Sequence, residues 1–245
     1  MKKGGILGYD LNEKNCQISY YDTAKDEPQT LELSPGVSQI PLMLGYFKER
    51  WVYGREAKRL AIANADSTVS DLFQKAVRRE KARVAGKVYD GVWLLAKFVR
   101  LTLEAFDEIE YLTFSVPETN VDMSKLLKGI GQHLGIEKER ICVQDYKESF
   151  CQYMFYQPKE LWQYESALFF CDDQRIKAYM LRRLNTANNK GQELFVTVDE
   201  VASAHMRELE AIYPVLTRKK TKTRMKALET LSRMYLTKRW FLLFI

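Results

Sequence analysis

Hydrophobic and polar residues alternate in short runs at the start of the chain. Residues 6–11 and 16–21 are two such runs, and the polar sequence Asn-Glu-Lys-Asn between them favours a tight turn. Residues 30–33 form a third run, which the breaker Ser-Pro-Gly at 34–36 follows. Strand-like residues then continue through 40–47 and 50–53. The pattern predicts that the protein begins as a β-meander.

Longer apolar patterns with helical spacing follow, and they alternate with further short strands. The pattern predicts helices over residues 55–63, 69–85, 91–106, 122–134 and 147–156 and strands over 111–116, 141–143, 167–171, 176–184 and 194–198. Strands, then helices, then strands again indicate an α/β protein in which helices flank a mixed β-sheet.

Charge is distributed unevenly along the 245 residues. The net charge is +6, but residues 216–245 contain nine Lys or Arg against the single acid Glu229, so residues 1–215 sum to −2. This basic tail indicates contact with nucleic acid or with an acidic membrane surface. The abrupt change near Leu216 also motivates a different hypothesis, that the reading frame has shifted at this point.

The remaining composition narrows the class of protein. No apolar stretch reaches the roughly 20 residues that a membrane-spanning helix needs, and no export signal is visible. The four cysteines lie far apart without a CxxC pair, and His133 and His205 have no partner motif. We therefore expect a cytoplasmic protein with reduced thiols and without a metal site built from cysteine and histidine.

The residues around the first predicted turn carry a resemblance to a known superfamily. Gly8-Tyr9-Asp10-Leu11, followed by a hairpin, resembles the first phosphate-binding element of the actin, heat-shock-chaperone and sugar-kinase superfamily, a G-x-D-x-G hairpin. In that element the N–H groups of the turn cradle phosphate and the aspartate acts beside magnesium. The resemblance implies an ATP and magnesium site at Gly8, Asp10, Asn12 and Lys14, with Asp10 on the metal side. Asn12 stands where the motif has its second glycine.

Further segments follow in the order that this superfamily has. Ile-Pro at 40–41 and Tyr-Gly-Arg-Glu-Ala-Lys at 53–58 resemble its Pro-led strand and G-x-x-A-K helix start, and residues 111–117 resemble its V-P segment. Asp145 occupies the place of the first connecting helix. The resemblance implies that this carboxylate polarises the water that attacks ATP.

The second phosphate element of the superfamily ends a strand in aspartate and a run of glycines. Here Cys171, Asp172 and Asp173 occupy that position, and no glycine accompanies them. The resemblance assigns Asp172 and Asp173 to the nucleotide site as neighbours of the usual magnesium-side aspartate. Side chains in a turn without glycine prevent the close approach of the backbone to phosphate.

Together these features imply a ribonuclease H-like, actin-type ATPase lobe at residues 1–165, with a helical insertion at about 55–106. Residues 166–215 would begin a second lobe, which is incomplete, and residues 216–245 would form a basic tail of uncertain structure. The favoured interpretation is a degenerate ATPase-fold protein that acts as a binding or scaffold module, with weak or no ATP turnover. An incomplete fold also favours a protein partner or self-association, because it leaves apolar strand surface uncovered.

Two alternatives remain open. One is an active ATP hydrolase in which Asp172 or Asp173 replaces the usual second aspartate. The other is a nucleic-acid-binding protein that uses the basic tail and a basic helix. In the helix predicted over 69–85, four cations would share one face: Lys75, Arg78, Arg79 and Arg83.

Overall fold

The computed structural model describes residues 5–158, 165–171, 175–184 and 195–205. The strands are β1 Ile6–Leu11, β2 Asn15–Asp22, β3 Glu27–Thr30, β4 Ile40–Pro41, β5 Leu44–Phe47, β6 Arg50–Tyr53, β7 Thr68–Val69, β8 Lys81–Val84, β9 Lys87–Asp90, β10 Tyr111–Val116, β11 Ile141–Asp145, β12 Glu165–Cys171, β13 Arg175–Leu184 and β14 Phe195–His205. The helices are α1 Gly54–Ala63, α2 Leu72–Val77, α3 Gly91–Leu103, α4 Val121–His133 and α5 Tyr146–Phe155. The chain divides into two compact units after Tyr146.

A six-stranded mixed sheet forms the centre of the first unit. Five strands follow the order β11-β10-β1-β2-β3, and β4 pairs with β2 beside this path. Strands β1, β10 and β11 are parallel, whereas β2 is antiparallel to both β1 and β3. The prediction of an α/β protein with a mixed sheet and flanking helices is therefore confirmed.

One face of this sheet carries the core of the first unit. Strand alternation directs Leu7, Tyr9 and Leu11 of β1 to the same side, and all three are buried. They pack in one cluster with residues of α3 and α4 such as Phe98 and Leu127. The buried hydroxyl of Tyr9 would be costly without a partner, and it forms a 2.9 Å hydrogen bond with the hydroxyl of Thr102 on α3.

The helices on this face begin and end where their local sequence allows it. The Asp90 carboxylate accepts a 2.8 Å bond from the N–H of Val92 and caps α3, and the side chain of Asn120 caps α4 in the same way. Gly135 follows α4 with a φ of +90°, a conformation that favours glycine. The predicted helix and its glycine stop are confirmed, with a shift of one residue at each end.

A second small sheet lies in the insertion between β4 and α3. Its strand order is β6-β5-β7, and the turn at Lys48 and Glu49 has positive φ at both residues, as two-residue hairpins require. Gly45 of β5 and Val52 of β6 are directly opposite each other on this β5–β6 hairpin. A Cβ at Gly45 would lie 2.9 Å from the side chain of Leu60, so α1 packs on the face to which this pair belongs.

The structure corrects the basic helix predicted over 69–85. Helix α2 ends at Val77, and the chain then forms the two-stranded hairpin β8–β9. Arg79 has a φ of +54° and breaks the helix, and the hairpin turns at Ala85 and Gly86, both with positive φ. The four cations that were predicted to share one helical face therefore do not lie on a common helix face. The alternation along residues 81–84 outweighs the helical spacing of the cations, because every second side chain points toward the core.

The second unit contains a three-stranded antiparallel sheet with the order β12-β13-β14. Helix α5 provides Phe150 and Met154 to a small buried cluster with Tyr179 and Leu181 of β13. Each of the strands predicted in this part of the chain is present, and β14 extends seven residues beyond the predicted end at 198, to His205. In the part of the chain that the structure describes, no helix is long and apolar enough to span a membrane.

Candidate functional site

A row of polar side chains crosses the sheet near the carboxyl ends of its parallel strands. Asp10 of β1 is in register with Gln17 of β2 on one side and with Ser115 of β10 on the other. Ser115 is in turn in register with Gln144 of β11. Because residues in register point to the same face, these four half-buried side chains form one continuous polar row. The row lies on the opposite face from Tyr9 and the core.

Asp10 is held at the centre of this row by an aromatic hydroxyl. The hydroxyl of Tyr146 donates a 2.5 Å hydrogen bond to Oδ1 of Asp10. Burial raises the pKa of the Asp10 carboxyl, because removal from water disfavours its charged form, and the bond from Tyr146 acts in the opposite direction. The carboxylate is thus a partly desolvated acceptor with one donor already in place.

The turn after Asp10 is closed by its own first side chain. Oδ1 of Asn12 accepts bonds from the backbone N–H of Lys14 at 2.9 Å and of Asn15 at 2.8 Å. The N–H of Asn12 donates to the carbonyl of Asn15 at 3.1 Å. This Asx-type turn occupies three N–H groups of the turn that the resemblance implies for phosphate binding.

Neighbouring elements hold this turn from the side. The carbonyl of Lys14 accepts a 2.7 Å bond from the N–H of Leu42, and Gln74 of α2 donates a 2.9 Å bond to the carboxylate of Glu13. Glu13 also brings a negative charge to the turn, and a carboxylate repels phosphate. The turn is therefore fixed in its closed form by contacts within and outside the hairpin.

Gly8 is part of strand β1 and lies outside the turn. A Cβ at this position would lie 2.5 Å from Oγ of Ser19, its partner on β2, so a larger residue would force the Ser19 side chain to rotate away. Gly8 therefore leaves room for the Ser19 hydroxyl two residues before Asp10.

Asp145 lies next to the polar row without belonging to it. It is in register with the buried Val116, one position beyond the pair of Ser115 and Gln144. Strand alternation directs it to the opposite face from Gln144, and hence from Asp10. Strand β11 nevertheless positions the site, because Tyr146 follows Asp145 directly.

Asp172 and Asp173 lie outside the described residues, as does the basic tail at 216–245. Their assignments to a nucleotide site and to nucleic-acid binding therefore stay predictions. Among the residues that the structure describes, no group of three or more His, Cys, Asp or Glu side chains is arranged to hold a metal ion.

Comparison with known protein families identifies the chain over most of its length. The model "Family of unknown function (DUF5716) C-terminal" matches residues 27–241. The chain belongs to this DUF5716 C-terminal family. The match includes most of the basic tail, which argues against a shifted reading frame near Leu216. The matched range begins at residue 27, so the hairpin with Gly8, Asp10 and Asn12 lies outside it. Among curated proteins, no match is found.

Sequence reasoning singled out Asp10 as a candidate and did not predict the side chains around it. Tyr146 is 136 positions away from Asp10, and no local motif connects the two. Gln17, Ser115 and Gln144 are ordinary strand residues until the register is known. One usable signal existed: the penultimate residue of each of the three parallel strands is polar, and sites of α/β proteins form at the carboxyl ends of such strands.

Proposed function

We propose that this DUF5716 protein is a degenerate, actin-like ATPase-fold protein that acts as a binding or scaffold module, with weak or no ATP turnover. The order of elements in the first unit supports the fold assignment. Strands β1, β2 and β3 are followed by α3, β10 and α4, which agrees with the βββαβα core that the resemblance implies. The three antiparallel strands of the second unit agree with the start of a second, related lobe.

The closed turn at Asn12 carries the functional proposal. A phosphate at this hairpin needs free backbone donors, and an N–H group that already donates to a side chain is satisfied. The N–H groups of Lys14 and Asn15 donate to Oδ1 of Asn12, at 2.9 and 2.8 Å. Binding ATP would require these bonds to break without compensation from the protein. The turn is thus built to remain closed.

The residues present also fit a magnesium ion poorly. Asp10 is the only carboxylate in the polar row, and one of its oxygens accepts the bond from Tyr146. Gln17, Ser115 and Gln144 provide neutral oxygens, so a magnesium ion at Asp10 would depend on substrate phosphates for its other charged ligands, and the closed turn does not hold a phosphate. Hydrolysis of ATP at this site is therefore not expected.

Calorimetric titration with ATP and magnesium tests the proposal directly. The wild-type protein is expected to show no saturable heat at millimolar ATP. Saturable binding that Asp10→Ala abolishes would overturn the proposal and support an active nucleotide site at this hairpin. Binding that Asp10→Ala leaves unchanged would place a nucleotide elsewhere in the chain and would also contradict it.

A second variant tests the physical reason. Asn12→Gly restores the glycine of the motif and frees the N–H groups of Lys14 and Asn15. If the closed turn prevents binding, this variant gains measurable affinity for ATP. Asn12→Asp keeps the acceptor oxygen and serves as the matched control, which should remain without binding. No gain in Asn12→Gly would show that the closed turn is not the cause.

A further inference from the structure

Four aromatic side chains of the insertion form a contiguous surface, which we name the aromatic shelf. Trp51 of β6 lies at its centre, with ring centroids 5.4 Å from Tyr46, 5.3 Å from Tyr89 and 5.5 Å from Trp93. Tyr46, Trp51 and Tyr89 pack partly against the core of the first unit. Three elements thus build the shelf: the β5–β6 hairpin, β9 and the first turn of α3.

Trp93 is the outermost ring of the shelf. It stacks on Tyr89 with a centroid distance of 4.9 Å and an interplanar angle of 19°, and it remains 44% exposed. A large exposed aromatic ring contributes less to folding than a buried one, because much of its apolar surface stays in water. A ring held flat against a second ring, with surface open to solvent, is suited to stack a further planar group.

The elements that carry Tyr89 and Trp93 are rich in positive charge. Strands β8 and β9 with helix α3, residues 81–103, contain five cations and one acid, whereas residues 1–215 as a whole carry −2. The acid, Asp90, is engaged in capping the N-terminus of α3. Lys87 lies two residues before Tyr89 and therefore on the same face of the hairpin, and it is exposed. Lys97 lies one helical turn beyond Trp93, on the same side of α3.

We propose that the aromatic shelf and the cations beside it bind single-stranded nucleic acid. A base stacks on Trp93 and extends the stack begun by Tyr89, and backbone phosphates contact Lys87 and Lys97. Sequence-tolerant proteins for single strands combine a stacking platform with a positive surface in this way. The positive charge favours nucleic acid over a peptide that carries few or no acidic residues. The flat exposed ring favours nucleic acid over a polyanion that has no bases. This surface is separate from the Asp10 row, so the inference does not depend on the ATP titration.

Fluorescence anisotropy of the full chain with a labelled oligothymidylate of about 20 nucleotides tests the proposal. Trp93→Ala is expected to weaken binding at least about fivefold, which corresponds to the loss of one stacked base. Trp93→Phe keeps a ring at this position and should retain most of the affinity. Because Trp93 is partly exposed, neither change should prevent folding, which thermal unfolding of each variant checks.

The charge contacts have a test of their own. Lys87→Gln/Lys97→Gln should lower the slope of log K against log salt by about 1.4, the value for two phosphate contacts on a single strand. Lys58→Gln/Arg59→Gln is the matched control: both residues are exposed on α1, which packs on the other face of the β5–β6 hairpin from Trp51. This control should leave the slope of log K against log salt within experimental error of the wild-type value.

Three results would overturn the proposal. The first is unchanged binding in the Trp93→Ala and Lys87→Gln/Lys97→Gln variants, which is expected if the basic tail alone binds the oligonucleotide. The second is equal affinity for polyglutamate of the same charge, which lacks bases and would show a general preference for anions. Absence of any binding of oligothymidylate by the wild-type chain would contradict it as well.

Discussion

At the scale of single residues, the bond between Tyr146 and Asp10 determines the character of the polar row. The 2.5 Å bond gives the Asp10 carboxylate a neutral donor where an active magnesium site would need water or metal. Burial at the same time raises the pKa of Asp10, so the fold binds its proton more tightly than the unfolded chain does. This residue therefore makes the stability of the protein depend on pH.

We predict that Asp10→Asn changes this pH dependence in a defined direction. Because the pKa of Asp10 is raised in the folded state, the native protein holds more protons than the unfolded chain between the two pKa values. The contribution of Asp10 to stability is present below its unfolded pKa of about 3.9 and is lost as the pH rises through the folded value. The stability of Asp10→Asn relative to wild type should therefore increase with pH across this window and then become constant. Urea unfolding of both proteins at a series of pH values measures this difference in the free energy of unfolding.

The Asp10→Asn substitution keeps an oxygen that can accept the bond from the hydroxyl of Tyr146 and removes only the charge. Tyr146→Phe is the companion variant, because it removes the donor that lowers the pKa of Asp10 and should widen the pH window. A wild-type protein that gains stability relative to Asp10→Asn as the pH rises would contradict the prediction. That result would mean that the site stabilises the ionised carboxylate.

The individual residues of the site differ in how far sequence could predict them. Asp10 could be proposed as a candidate because it lies in a short motif whose members are sequence neighbours. The closed turn was not found, although Asn12 is a common Asx-turn residue, because a motif gives residue types and not the direction of an amide oxygen. Tyr146 could not be found, because its contact depends on the parallel pairing of β1, β10 and β11.

At the scale of elements, the β8–β9 hairpin shows why the basic helix was predicted wrongly. Spacing of three and four between cations fits a helix, but cations carry little information about the buried face. The informative positions were Ala82 and Val84, which alternate with exposed Lys81 and Arg83, and the Ala85-Gly86 turn that follows. Two-residue turns with positive φ at both positions select hairpins, and Gly86 fits this pattern.

The close approach of Gly91, the first residue of α3, to the backbone of Lys75 and Glu80 leads to a prediction. A Cβ at Gly91 would lie 2.6 Å from the carbonyl carbon and oxygen of Lys75 and 2.8 Å from the carbonyl oxygen of Glu80. These are backbone atoms, so Gly91→Ala must displace α2 or the residues that connect it to β8. It also weakens the 2.8 Å bond from the N–H of Gly91 to Glu80. We expect a loss of about 2 kcal/mol in the free energy of unfolding, measured by urea denaturation.

Gly129→Ala in α4 is the matched control for this substitution. Nothing lies within 4 Å of a Cβ at Gly129, and the residue is inside the helix. Alanine should therefore stabilise the protein by about 0.5–1 kcal/mol through its higher helix propensity. Equal effects of the two substitutions would show that the close approach at Gly91 does not limit the packing of α3.

At the scale of the whole molecule, the described residues of the two units differ in how much core they form. The first unit has one continuous buried cluster that joins the sheet, the insertion, α3 and α4. Among the described residues, the cluster of the second unit is formed by Phe150, Met154, Tyr179 and Leu181, with two partly buried neighbours. The fold class followed from sequence because strong periodicity extends along residues 6–134, whereas strand order and direction depend on long-range pairing.

A chain that ends after Tyr146 should consequently fold without the rest of the protein. It retains the complete six-stranded sheet, the buried residues of α3 and α4, and the bond between Tyr146 and Asp10. A domain with its own core folds alone. We expect this fragment to show cooperative thermal unfolding by circular dichroism. Phe98→Ala in the same fragment removes a fully buried ring and should cost about 3–5 kcal/mol, which separates a packed core from residual helix. A fragment that melts gradually, or whose melting Phe98→Ala does not change, would mean that the first unit acquires its packing only in the complete chain.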